Sequence, residues 1–173
     1  FPYTTLFRSD PQSKGWVELK GGVGGVYQGE STFTLANYND YFLVWGLRNG
    51  GEVSIDDIAI YEQGTLLYRE SFEPLNSTDM SNTYMLLPSG STAVNTSVPE
   101  RIIAGSRSLF AVGDGGGEQE MIRTDANRLK LEPGGTYTIR YKYKMVAEGT
   151  DYVYFRAESP SGGAAAAKGT TQS

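Results

Sequence analysis

The sequence contains no cysteine and no histidine. Without cysteine there are no disulfides and no thiolate metal sites. Without histidine the commonest acid–base catalyst and the usual zinc ligand are both missing. Long apolar runs are missing too, since no stretch reaches the roughly 18 residues that cross a bilayer as a helix. No window repeats apolar residues at i, i+3, i+4 and i+7, so helix is a minor component at most. Lysine and arginine are few and scattered, apart from a row at 140–144, and the formal net charge is −5. That balance argues against a partner held by phosphate neutralisation, and so against nucleic acid.

What is present points to strands. The 173 residues hold one sizeable domain, or one domain plus pieces. Hydrophobic residues make up 39%, with 22 glycines and 12 tyrosines, a mixture that suits a turn-rich all-β protein. The organising stretch is 51–62, GEVSIDDIAIYE. Val53 and Ile55 share one strand face, but Ile58 and Ile60 fall on the opposite parity. A one-residue bulge at Asp56–Asp57 keeps all four on one face and re-aims a carboxylate at the sheet rim.

Residues 41–48, YFLVWGLR, are apolar at nearly every position, as in a central strand covered on both sides. Asn49, Gly50 and Gly51 give a hairpin-turn signal leading into 51–62. Further strands are expected at 15–19, 27–35 and 106–112. The cleanest alternation follows Gly135: Tyr137, Ile139, Tyr141, Tyr143 and Met145 share one face, and Thr138, Arg140, Lys142 and Lys144 the other. Residues 151–157 read as the hairpin partner of that strand, with Tyr152, Tyr154 and Arg156 off the core face. Residues 74–100 are loop-like, and 159–173 are low in complexity, with no structure assigned. Residues 1–9, FPYTTLFRS, match over their whole length the translation of a common sequencing-library adapter and are set aside. The natural start of the chain is then expected to be missing.

Four segments resemble parts of jelly-roll carbohydrate-binding modules of the family 4, 9 and 22 kind, which are galactose-binding-domain-like. The Ile-Asp-Asp-Ile strand ending at Glu62 resembles their closing strand. Residues 66–73, LLYRESFE, resemble their opening strand, followed by Gly-Ser-Arg-Ser-Leu at 105–109 and by the Pro-Gly-Gly-Thr-Tyr element at 133–137. The closing half precedes the opening half. The resemblance therefore implies the C-terminal half of one tandem copy (10–62), a hinge (63–65) and the N-terminal half of the next (66–158). A window one repeat long is formally a circular permutant, so the two halves are expected to pack as one antiparallel β-sandwich, provided 27–61 and 106–157 touch extensively.

The resemblance also implies a function: a non-catalytic region of a larger extracellular, bacterial protein that binds a polysaccharide or cell-surface glycan. Its candidate sugar contacts are Tyr152, Tyr154, Arg156, Trp45 and Arg140, with Trp45 serving either sugar or core. Trp16 is a further loop-tip platform. Structural Ca²⁺ is implied at Asp56, Asp57, Glu70 and Glu73, since hard carboxylate oxygens suit that ion. The competing reading is a spacer repeat of a surface protein that binds nothing. Glu118 and Glu120 share a face, but nothing around them raises a pKa, and GDGGG at 113–117 lacks the Lys-Ser/Thr of a phosphate loop. No enzymatic activity is expected. Asn76 and Asn95 head glycosylation sequons.

Overall fold

The computed structural model describes residues 15–20, 22–35, 41–73, 83–158 and 167–172. The adapter-like segment, Asn76 and residues 10–14 lie outside them. Twelve strands and one short 3₁₀ turn (Pro99–Arg101) make up the regular structure among these residues. The strands are β1 (Gly15–Lys20), β2 (Val26–Thr34), β3 (Phe42–Asn49), β4 (Glu52–Glu62), β5 (Thr65–Glu70) and β6 (Met85–Leu86). They continue with β7 (Val94–Thr96), β8 (Ser108–Val112), β9 (Glu118–Thr124), β10 (Thr136–Ala147), β11 (Thr150–Glu158) and β12 (Ala167–Gln172).

Two sheets pack face to face. Sheet A runs β1-β12-β11-β3-β9-β6 and sheet B runs β2-β10-β4-β8-β7, with β5 on β4 beyond the end of β8. All ladders are antiparallel except β1 with β12. The chain is an all-β sandwich, as its composition and alternation lead one to expect. β10 inserts between β2 and β4, β8 lies on β4, and β3 lies between β11 and β9. Residues 27–61 and 106–157 are thus interleaved strand by strand and share one core. Phe33, Trp45, Leu47, Val53, Ile55, Ile58 and Ile60 from the first half meet Met121, Tyr137, Ile139, Tyr141, Val153 and Phe155 from the second.

The bulge in β4 is present. Ala59 pairs with Arg140 and Asp56 with Lys142, so Asp57 and Ile58 together face the single Tyr141. Asp57 takes the left-handed conformation, φ 49°. Val53, Ile55, Ile58 and Ile60 are all fully buried in the core. On β10 the alternation holds along the strand, with Tyr137, Ile139, Tyr141, Tyr143 and Met145 buried.

The turns differ from expectation. Asn49, Gly50 and Gly51 do not close a hairpin, because β3 and β4 belong to different sheets. The same is true of β10 and β11: residues 151–157 pair with β3 and β12. Both turns cross from sheet to sheet at one corner, together with 113–117, which carries β8 of sheet B into β9 of sheet A. There Asn49 N donates to Gly117 O (2.8 Å), Gly113 N to Gly51 O (2.9 Å) and Thr150 Oγ1 to Gly50 O (2.6 Å). Gly51 sits at φ 86°, and a Cβ there would lie 2.3 Å from Thr150 Oγ1, so the corner admits only glycine. The true hairpin is at Gln63 and Gly64, expected to be a hinge. Both have positive φ (47° and 84°), the two-residue geometry that joins β4 to β5 without splaying them. Residues 167–172 of the low-complexity tail form β12 between β1 and β11.

Candidate functional site

The outer face of sheet A carries the most concentrated polar chemistry. On β11, Val153, Phe155 and Ala157 enter the core, which turns Tyr152, Tyr154, Arg156 and Glu158 outward by the period-two rule. Their register partners on β3 are Arg48, Gly46, Val44 and Phe42. On β9, Glu118 and Glu120 stand opposite Arg48 and Gly46. Tyr152 Oη donates to Glu118 Oε1 (2.6 Å) and accepts from Arg48 Nη1 (3.2 Å). Arg156 Nη1 donates to Glu118 Oε2 (2.5 Å), its Nη2 lies 3.9 Å from Glu120, and its Nε pairs with Glu158. The guanidinium lies over the Tyr154 ring, 4.5 Å from its centroid.

Tyr154 is the floor of this network. Its ring folds over Gly46, where an added Cβ would meet Cζ at 2.2 Å. The residue is fully buried, and its hydroxyl has no hydrogen-bond partner among the described residues. Burial drives its pKa well upward. Burial also raises Tyr152, helped by the bond to Glu118, and raises Glu158, where Arg156 offsets only part of the effect. Burial by itself would lower Arg156, but Tyr154 and the surrounding carboxylates outweigh it and keep the guanidinium charged.

Of the five sugar-contact candidates, the structure brings together Tyr152, Tyr154 and Arg156. Trp45 is fully buried in the core, its ring 5.2 Å from Phe155 and edge-on to Tyr141 at 6.0 Å. Its parity on β3 points it inward, so it presents no face to a ligand. Tyr154 presents none either, being closed over by Arg156. Arg140 lies on the other sheet, paired with Glu30 (2.8 Å) and stacked over Tyr61. The side chain of Trp16 lies outside those described. Arg48, Glu120 and Glu158 join the face without having been singled out for it. The shared parity of Glu118 and Glu120 was visible in the sequence, but Arg48 had no signal, because its place follows from a β3–β11 pairing that no local pattern encodes.

The four carboxylates considered for calcium are engaged with the protein's own donors. Asp56 accepts from Ser108 Oγ (2.7 Å), Ala104 N (3.3 Å) and Asp57 N (2.7 Å). Asp57 takes Arg69 (2.8 Å) on one oxygen and Lys142 (2.5 Å) on the other, and these bonds hold it below the usual carboxylate range. Glu70 accepts from Tyr68 Oη and from Phe72 N. Glu73 accepts from Ser106 N, Ser106 Oγ and Arg107 N, which lowers its pKa as well. Among the described residues no group of three or more acidic side chains is disposed to hold a metal ion. Donor protons already face these oxygens, so the set as arranged does not fit Ca²⁺. An ion here would have to displace Arg69 and Lys142 from Asp57.

Asn95, the second sequon, is 4% exposed and donates to Phe72 O at 2.6 Å. A folded chain does not offer it to a glycosyl transferase. Among the described residues no helix is long and apolar enough to cross a membrane. No family model matches the chain, and no curated protein or solved structure is significantly similar to it.

Proposed function

We propose that this sandwich is a non-catalytic carbohydrate-binding region of a larger extracellular protein, and that the outer face of sheet A takes the glycan. One observation carries the reading: a network of the exposed Arg48 and Glu118 with the half-buried Tyr152 and Arg156 lies over the buried Tyr154. Sugars present rows of hydroxyls that both donate and accept. A sheet face whose guanidinium and carboxylate groups are held in fixed array suits them, because the side chains lose little further freedom on binding. Calcium forms no part of the proposal.

The test is a glycan array followed by calorimetry on the whole chain. Binding that weakens at least tenfold in Tyr152→Ala and in Arg156→Ala, with an unchanged unfolding midpoint in the first, supports the reading. A folded protein silent across the array overturns it. That silence would favour the second reading, a spacer repeat with no ligand. Two features favour the spacer: Tyr154 and Trp45 are closed off from solvent, and the outer face of sheet B carries self-paired Thr32–Thr138, Thr34–Thr136 and Glu30–Arg140.

A further inference from the structure

Residues 97–107, between β7 and β8, lie across the outer face of sheet B. We infer that they form a strap that lifts from that face as one unit while the sandwich stays folded. Beneath it are Ser54, Asp56 and Ser108, which are 0%, 1% and 0% exposed although they point away from the core. No residue of the strap is itself buried. It therefore has no buried apolar anchor of its own, and the main apolar group that opening would uncover is Phe110, 3% exposed beneath Arg101.

What holds the strap down is a set of polar clasps. Ile103 N donates to Ser108 Oγ (2.8 Å), Ala104 N to Asp56 Oδ2, and Ser106 N and Arg107 N to Glu73. Lys144 Nζ reaches Glu100 O (2.5 Å), and Arg101 stacks on Phe110 at 3.9 Å. Every acceptor of these strap amides is a side chain, and none belongs to a strand ladder. The Ser54 hydroxyl is buried without a partner and gains hydration when the strap opens. The clasps share one short backbone, so loosening one loosens its neighbours.

Native-state hydrogen exchange on the whole chain tests this, read by residue. The amides of Ile103, Ala104, Ser106 and Arg107 are expected to exchange together, well ahead of those of β4 and β10. Glu73→Gln, which keeps the side chain's shape at a partly exposed site, should speed all four by roughly tenfold and leave β10 unchanged. Two results would overturn the inference. One is exchange of 102–107 only at the global unfolding rate. The other is an acceleration confined to Ser106 and Arg107, which would mean independent local fraying. Should Glu73→Gln unfold the chain, Arg101→Ala gives the same readout from the other end of the strap.

Discussion

At the scale of single residues, the structure turns on side chains that occupy space a neighbour leaves vacant. Tyr154 covers Gly46 on the outer face, and Tyr141 covers Gly29 in the core, where a Cβ would meet Cζ at 2.4 Å. A ring laid over a cross-strand glycine restores the packing that the missing side chain would have given. Gly46→Ala should therefore cost about 1–3 kcal/mol in urea unfolding, since the Tyr154 ring and Gln119 O both stand in the way. Tyr154→Phe should cost less than about 1 kcal/mol, because the hydroxyl it removes is unpartnered. Equal losses in the two variants would contradict this packing. Asp56 supplies a pH effect. Burial raises it to about 6 from an ordinary 3.8, despite the bonds from Ser108 and Asp57. Between those values the folded chain keeps a proton that the unfolded chain has released. Stability therefore falls as pH rises from about 4 to about 6, by on the order of 3 kcal/mol, and is level above that. Glu73, whose pKa is lowered, acts in the opposite sense and withdraws support as pH drops below its ordinary value of 4.5. Urea midpoints measured from pH 4 to 8 should show the decline in the native chain and a clearly smaller one in Asp56→Asn, where only Glu158, also raised by burial, still acts in that sense.

At the scale of elements, β4 shows what a local pattern can reveal. The switch of apolar parity across Asp56–Asp57 specified a bulge, and the ladder to β10 contains it. Deleting Asp57 restores a regular strand and turns either Val53 and Ile55 or Ile58 and Ile60 out of the core. Two buried isoleucines or valines amount to about 3–6 kcal/mol, comparable with the whole stability of a small domain. The deletion should abolish cooperative unfolding, whereas Asp57→Gly, which suits φ 49°, should leave a folded protein. Far-ultraviolet circular dichroism through a thermal ramp separates the two. The same elements show where reading stops. Alternation revealed which faces of β10 and β11 are buried, because burial is written in each strand's own residues. It did not reveal that β11 pairs with β3 instead of β10. A glycine turn that closes a hairpin and one that crosses between sheets use the same residues, and only the partner strands decide. For the site this meant that Tyr152, Tyr154 and Arg156 were legible as one face, while Arg48 was not. Trp45, read as serving either sugar or core, takes the core, because a strand apolar at nearly every position does not itself say which parity faces outward.

At the scale of the molecule, the order of strands matters more than any one of them. The motifs that suggested separate half-modules meet in space: Asp56 of the Ile-Asp-Asp strand, in the first half, accepts from Ser108 of the Gly-Ser-Arg-Ser-Leu segment, in the second. Each half supplies strands to both sheets, with β10 between β2 and β4 and β3 between β11 and β9, so neither can close a core without the other. Cut off after Glu62, the first part would leave β3 without β9 and β11, and β4 without β10 and β8. Their apolar faces would be open and their ladders unpaired, which is a route to aggregation. Two chains, 1–62 and 63–173, should therefore each lack a cooperative transition when expressed alone and recover one when refolded together. The Gln63–Gly64 turn is the place to divide them, since it is a tight surface hairpin and no core residue is lost there. Mixing should restore the dispersed amide spectrum of the intact protein, at a midpoint that rises with concentration because association is now bimolecular. A first half that folds by itself would mean that the interleaved ladders are not what holds the sandwich together.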